Sequence, residues 1–375
     1  MKTIKCDIET FSSDIKEKNV ICIGAGKEAE NFFREFKHIL KNVNFFCDND
    51  KKKHGTIKRI GDVDFKICSL ESALSNCTNC ILLITTIHRE QVLDQIKEII
   101  GYNNISCYSS VEIRDITHAF FDSETIYQES SEAEAFRMNI CPVIPKKIHY
   151  CWFGSNKVSD LMLQCIDSWR RFCPDYEIIK WDENNFDYNQ LPYMKEAYHK
   201  KKWAFVSDVA RLYIVYQYGG IYLDTDVELL KGLDTLLYND GYIGFENNKV
   251  VATGLGFGAK QGHNLIKEML DDYKDKSFIK NDGTEDLKTC PEIQTQILKR
   301  HGLIGNGEFQ VIGNLAIYPP IYFNPKNPYT LQSEATKSTF SMHHYNASWL
   351  NKNEKEYWLK LRSDVCEARK KMERL

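Results

Sequence analysis

The stretch WAFVSDVARLYIVYQYGGIYLDTDVE, Trp203 to Glu228, decides how this 375-residue chain is read. Its first part predicts a helix over Ala204 to Tyr218, because Val209, Leu212, Tyr213 and Tyr216 recur at helical spacing. Gly219-Gly220 ends that helix, glycine being suited to a C-terminal cap. Ile221-Tyr222-Leu223 predicts a short buried strand that delivers Asp224-Thr225-Asp226. Alternate side chains of an extended chain share a face. Asp224 and Asp226 therefore point the same way and suit one hard cation, which takes oxygen ligands. On the helix, Asp208 and Arg211 are three apart and share a face. A bare D-x-D is more often a solvated loop, but here an apolar strand ends in two carboxylates, which is costly unless the charges are used. For Asp208 and Arg211 the plain alternative is an i,i+3 ion pair.

Outward from this stretch, IPKKIHYCWFGSN predicts a strand over Lys147 to Phe153, ending at Gly154. A helix over Leu161 to Phe172 and a strand over Tyr176 to Asp182 follow. Downstream come short strands over Gly241 to Glu246 and Val250 to Gly258. Asp271 to Lys288 reads as a charged loop, and Thr289 starts a helix that runs through Arg300. SMHHYNASW, Ser341 to Trp349, is the next informative run. Glu354 to Leu375 predicts a charged helix carrying Tyr357, Trp358, Leu361 and Val365. Core packing is the first expectation for these; a dimer or peripheral membrane contact is the alternative.

Three of these blocks, Ile148 to Gly154, S-D-x-x-R through D-x-D, and Ser341 to Trp349, occur in one order. Together they resemble the sugar-nucleotide site of the family 32 glycosyltransferases and of the related glucosylating bacterial toxins. The resemblance spans residues 144–350. It implies a GT-A fold and sugar transfer from a UDP-sugar with retention of anomeric configuration, assisted by a divalent cation, Mn2+ or Mg2+. It implies catalytic roles for Asp208, Arg211, Asp224 and Asp226, with Asp208 and Arg211 holding the donor sugar. Trp152 becomes the platform for the base, with simple core packing as its alternative. Tyr222 lies near the sugar nucleotide, or only packs. The implied cation ligands are Asp226, touching the ion directly, Asp224, through water or else bound to ribose and sugar hydroxyls, and His343, with His344 as runner-up to His343. Ser348 and Trp349 would donate hydrogen bonds to the diphosphate. The implied acceptor is a glycan or lipid-linked glycan, such as a capsular or lipopolysaccharide repeat.

The N-terminal part alternates strand and helix: NVICIG, Lys27 to His38, VNFFC, CILLIT, Arg89 to Ile100, Ile105 to Tyr108. That pattern predicts a parallel, doubly wound sheet. Gly24-Ala-Gly26-Lys-Glu-Ala29 follows the first strand and opens the first helix, with Asp48 ending the second strand. In dinucleotide-binding folds such glycines admit a pyrophosphate and the acid holds a ribose. A tight strand-to-helix turn without a ligand is the alternative. This part resembles the small Rossmann-like modules attached to sugar-processing bacterial enzymes. Residues 1–18 read as a polar lead-in. The expected organisation is an α/β chain: a Rossmann-like domain over 1–125, a linker over 126–142, and a GT-A domain over 143–375.

A net charge of −3 gives no electrostatic case for nucleic acid. No apolar run approaches the roughly 18–20 residues of a membrane span, and the N-terminus lacks the apolar core of a secretory signal. Thirteen cysteines, an odd number with several inside apolar runs, favour reduced thiols over a disulfide framework. Cys77 and Cys80 have zinc spacing but lack a second pair. The expected location is cytoplasmic, at the inner membrane face if the acceptor is lipid-borne. Two other classes stay open. One is an NAD-dependent sugar-nucleotide oxidoreductase or epimerase using the N-terminal module, although no catalytic tyrosine-lysine pair is evident. The other is a non-catalytic glycan-binding scaffold.

Overall fold

The computed structural model describes residues 2–86, 88–100, 105–123, 125–154, 157–346 and 352–372. The chain forms two compact units, residues 1–123 with 356–375, and residues 124–355.

The first unit runs β1 (Lys2–Thr3), α1 (Ile8–Asp14), β2 (Asn19–Ile23), α2 (Lys27–Glu35), β3 (Val43–Cys47), β4 (Ile57–Ile60), β5 (Val63–Cys68), α3 (Leu70–Ser75), β6 (Cys80–Ile84), α4 (Arg89–Ile100), β7 (Ser106–Ser109) and α5 (Ser110–Ser123). Among the described residues the sheet order is β1-β7-β6-β2-β3-β5-β4. All its pairings are parallel except the β4–β5 hairpin. β2 and β6, buried on both faces, read as the continuous apolar runs a covered parallel strand needs. The sequence expectation of a polar lead-in over residues 1–18 is corrected. This segment holds β1 and α1, and Phe11 and Ile15 are buried. Asp7 caps α1 by accepting the Thr10 N–H. The last helix, α13 (Lys352–Met372), also departs from expectation. Its residues from Glu356 onward cluster with this unit rather than with the second. Val365 is buried, Lys5 pairs with Asp364 at 2.8 Å, and the Tyr357 hydroxyl donates to Asp115.

The second unit begins earlier than expected. The connecting segment, in which a helical piece is expected near Ser131 to Met138, contains α6 (Ser131–Ala135), and Ala133 joins the unit's core. There follow β8 (Lys147–Cys151), α7 (Asp160–Phe172), β9 (Glu177–Trp181), α8 (Pro192–His199), α9 (Trp203–Tyr218), β10 (Gly220–Tyr222), β11 (Val227–Leu229), β12 (Gly241–Phe245), β13 (Val251–Ala252), β14 (Phe257–Ala259), α10 (Asn264–Asp271), α11 (Cys290–Arg300), β15 (Gln310–Ile312), β16 (Leu315–Tyr318), α12 (Pro320–Phe323) and β17 (Ser341–His343). The main sheet has the order β15-β16-β12-β14-β10-β8-β9, with β13 beside β12. β11 and β17 form a separate antiparallel pair.

α9 buries Val206, Val209, Ala210, Leu212, Ile214 and Val215; of the stripe expected from spacing, Val209 and Leu212 are buried while Tyr213 and Tyr216 are only half-buried. Gly219 and Gly220, at φ +62° and +104°, turn the chain directly into β10. A Cβ on Gly220 would stand 2.8 Å from His149 Nε2. That close approach lets the buried His149 on β8 bond the Gly219 carbonyl at 2.9 Å, while Trp181 Nε1–H donates to its Nδ1 at 3.2 Å. β8, β9 and β10 are thus tied side by side, and all three are parallel.

Candidate active site

Parallel strands release their chains at one edge, where ligands of open α/β sheets bind. Here His149 pairs with Tyr222 and Ile179. Trp152 therefore leaves β8 at the same edge where Asp224 leaves β10. Three residues after Asp224 the chain re-enters a strand, β11, whose Val227 pairs with His343 on β17. The D-x-D thus bridges the main sheet and the small β11–β17 ribbon, and His343 arrives by strand pairing rather than by sequence proximity.

Arg211 sits under this edge with its side chain 5% exposed. Its Nη2 lies 3.0 Å from Asp208 Oδ1 and 3.1 Å from Asp224 Oδ1. Nε–H donates to the Ser207 carbonyl at 3.2 Å. Nη1 lies 3.4 Å from Thr253 Oγ1 and 3.9 Å from Cys290 Sγ. A guanidinium has five N–H donors, and five acceptors of the protein surround this one. The fork of donors expected to meet a sugar is spent on holding two carboxylates. Tyr222, nearly fully buried, donates its hydroxyl to the same Asp224 oxygen at 3.0 Å, and the guanidinium lies 5.0 Å from its ring. Tyr222 therefore orients Asp224. Asp224 Oδ2 faces Gly254, where a Cβ would stand 2.5 Å away. Burial, only partly opposed by Arg211, raises the Asp208 and Asp224 carboxyls above their usual range.

Asp226 behaves differently. Its Oδ1 lies 3.1 Å from His343 Nε2, and its Oδ2 accepts the Asn346 N–H at 2.9 Å. Burial alone would raise this carboxyl; the His343 imidazole and the Asn346 N–H outweigh it and pull the pKa to about 2. His343 is held above its usual range, burial being overcome by the Asp226 charge. His344 points to the other side of the ribbon, its Nε2 2.9 Å from Glu228 Oε2. The two histidines are thereby told apart, as alternation along a strand requires.

An ionised carboxylate facing an imidazole nitrogen suits a divalent cation, which would take the place of the shared proton. Asp226 and His343 fit that role. The resemblance implies Asp224 beside them, as a ligand through water or as a partner of the ribose and sugar hydroxyls. Among the described residues no three His, Cys, Asp or Glu side chains converge to hold an ion. Asp224 is drawn toward Arg211 and Tyr222.

Residues 159–242 match the glycosyltransferase sugar-binding region containing a DXD motif. This sugar-binding region runs from the cap of α7 into β12 and holds Asp208, Arg211, Tyr222, Asp224 and Asp226. Trp152, Thr253, Cys290, Gln294 and His343 fall outside it. Inositol phosphoceramide mannosyltransferase 3 of Schizosaccharomyces pombe is 28% identical over 136 residues, covering 35% of this chain and 38% of that protein. Inositol phosphoceramide mannosyltransferase 2 of the same yeast is 34% identical over 105 residues, 26% of this chain and 29% of that one. The chain thus spans well under half the length of these relatives. Among solved structures, PaToxG glycosyltransferase aligns over 50% of this chain and 75% of its own, at TM-score 0.33 and 20% identity. Galactosyltransferase LgtC aligns over 58% and 95%, at TM-score 0.29 and 13% identity.

Beside the sugar-binding region, Trp152 is half-buried, packs against the core around Ile148 and Trp169, and donates its backbone N–H to the Trp181 carbonyl at 2.8 Å. Ser348 and Trp349 lie outside the described residues. Thr253, Cys290 and Gln294 escaped the sequence reading because their partners stand 41 to 79 positions away. The one local signal was a run of polar residues on the inner face of α11, which the helix reading did not separate from its apolar face.

In the first unit, Gly24 turns at φ +108° with a Cβ position 2.9 Å from the Thr85 carbonyl oxygen. At Gly26 a Cβ would meet nothing within 4 Å. Asp48, expected to hold a ribose, accepts the Ala25 N–H at 3.3 Å and pairs with Lys53 at 2.8 Å. Its carboxylate braces the glycine turn. All 13 cysteines are free. Among the described residues no helix is long and apolar enough to cross a membrane.

Proposed function

We propose that this chain is a retaining, cation-dependent glycosyltransferase that takes its sugar from a UDP-sugar donor. The reading is carried by one observation: the D-x-D that ends β10 meets His343, 117 positions away, through the Asp226 carboxylate. In this reading Asp226 and His343 would hold the cation. The cation supplies Lewis-acid neutralisation of charge on the leaving phosphate. Asp208 and Asp224, held by Arg211, present their remaining oxygens to sugar hydroxyls. Trp152 supports the base, and Ser348 and Trp349 donate to the diphosphate. With Asp224 Oδ1 committed to Arg211 and Tyr222, a front-face displacement fits better than a covalent sugar–enzyme intermediate. The bond from the anomeric carbon to phosphate breaks, the bond to the acceptor oxygen forms, and the acceptor proton passes to the leaving phosphate. The transition state is oxocarbenium-like. The acceptor is a glycan or lipid-linked glycan of a capsular or lipopolysaccharide kind. A lipid-borne acceptor accords with the names of the yeast relatives, which specify inositol phosphoceramide.

The test is donor hydrolysis. Nucleoside diphosphate release is measured across UDP-glucose, UDP-galactose and their N-acetyl forms (UDP), with GDP-mannose as control (GDP), with and without Mn2+, for wild type and Asp226→Ala. Mn2+-dependent release from one UDP donor, lost in the variant, supports the reading. Failure of UDP and Mn2+ to bind together overturns it.

A further inference from the structure

We propose that Gln294 is a positioning residue for the donor-sugar end of this site, acting through Thr253 on Arg211. The inference rests on the transferase reading above and adds to it a residue outside the sugar-binding region. Gln294 lies on the inner face of α11 and is fully buried. Its Oε1 accepts the Thr253 N–H at 3.2 Å, and its Nε2 donates to Thr253 Oγ1 at 2.8 Å. One planar amide thus fixes the backbone and the side chain of Thr253 together. Thr253 Oγ1 in turn faces Arg211 Nη1 at 3.4 Å, so the hydroxyl accepts from both sides. The other guanidinium nitrogen, Nη2, carries Asp208 and Asp224. A shift of Thr253 is therefore transmitted to both carboxylates, whereas Asp226 and His343 hang on a different strand pair.

Packing does not explain the choice of glutamine. Ile293, Ile297 and Leu298 already anchor α11 in the core, and a buried amide is costly unless its bonds serve a purpose. Nor is Gln294 needed to keep the 251–253 segment in place. Thr295 Oγ1 separately accepts the Val251 N–H at 3.0 Å.

The experiment uses the full chain and the donor that wild type hydrolyses. Gln294→Met, Thr253→Val, their combination and Thr253→Ser are compared for kcat and KM of UDP release and for calorimetric affinity for UDP with Mn2+. Gln294→Met is expected to lower kcat/KM by about tenfold, the equivalent of one well-made buried hydrogen bond, with the affinity for UDP and Mn2+ unchanged within about twofold. Thr253→Ser retains activity, and the double variant falls no further than Thr253→Val alone. Activity of Gln294→Met within about twofold of wild type, or losses that multiply in the double variant, overturns the proposal. If wild type turns over no donor and UDP and Mn2+ do not bind it together, the transferase reading has failed. The Gln294–Thr253 coupling is then read from urea denaturation of the same four variants, where additive stability losses overturn it.

Discussion

His149 makes a quantitative claim about the scaffold that brings Trp152 and the D-x-D to one edge. Its imidazole is buried, with Nε2 against the Gly219 carbonyl and Nδ1 receiving the Trp181 indole N–H. An acceptor at Nδ1 and a donor at Nε2 describe the neutral ring. Protonation would set a second N–H against the indole N–H inside the core. Burial accordingly lowers the pKa to about 4. The unfolded value is about 6.5. A histidine depressed in the folded state contributes stability that is full above the unfolded pKa and lost as pH falls toward the folded one. Between pH 7 and pH 5 the loss is about 2 kcal/mol, and it approaches about 3 kcal/mol near pH 4. Five of the six tryptophans lie within residues 124–355, so indole fluorescence follows the second unit. Urea denaturation at pH 7 and pH 5 is compared for wild type and His149→Gln. The variant is less stable at both pH values, but its pH dependence should be flatter by about 2 kcal/mol; groups common to both proteins, the buried His263 among them, cancel in the difference. A difference in pH dependence below about 0.5 kcal/mol would refute the assignment of a buried neutral His149 at this strand junction.

Two further perturbations address the donor end. Gly254→Ala places a Cβ 2.5 Å from Asp224 Oδ2 and 3.3 Å from Arg211 Nη1. It should cost about 1–3 kcal/mol of stability by overpacking and lower UDP release by more than about tenfold, read by thermal melting and a UDP assay. Arg211→Met leaves Asp208 and Asp224 without their shared partner. It should destabilise the second unit by about 3–5 kcal/mol in urea, and Arg211→Lys should recover only part of this, because an ammonium cannot span five acceptors.

What the sequence made legible were features written within a few residues of one another. The α9 helix, the Gly219-Gly220 turn and the apolar β10 follow from local periodicity and backbone freedom and stand close to where they were expected, although Tyr213 and Tyr216 of the expected α9 stripe are only half-buried. The parallel core strands of the first unit were equally plain, since burial on both faces leaves an unbroken apolar run. Half-exposed strands were not. β4 and β5 form an edge hairpin whose residues are mostly solvated, and β1 is two residues long. α1 was missed because only Ile8 and Phe11 of its seven residues are buried. For the site, sequence could name Asp208, Arg211, Asp224 and Asp226 but could not apportion their oxygens. That required knowing that Thr253 and Cys290 surround the guanidinium from another part of the chain.

That apportionment changes what the motif does. The two aspartates of the D-x-D were expected to act as a pair on one ion, since alternate residues of a strand share a face. The strand ends at Tyr222, however, and a turn lies between Asp224 and β11. Freed from the pleat, each carboxylate goes to the partner its own surroundings supply. Asp224 joins a cation that the protein carries permanently, Arg211. Asp226 joins the His343 imidazole, where a divalent cation could take the place of the shared proton. Under the proposed transferase reading, one carboxylate would belong to the fixed wall against which a sugar is oriented, and the other to an exchangeable ion site. The spacing of two residues sets the two carboxylates side by side with separate partners, and in the proposed reading a donor's sugar and its diphosphate would be held by separate devices.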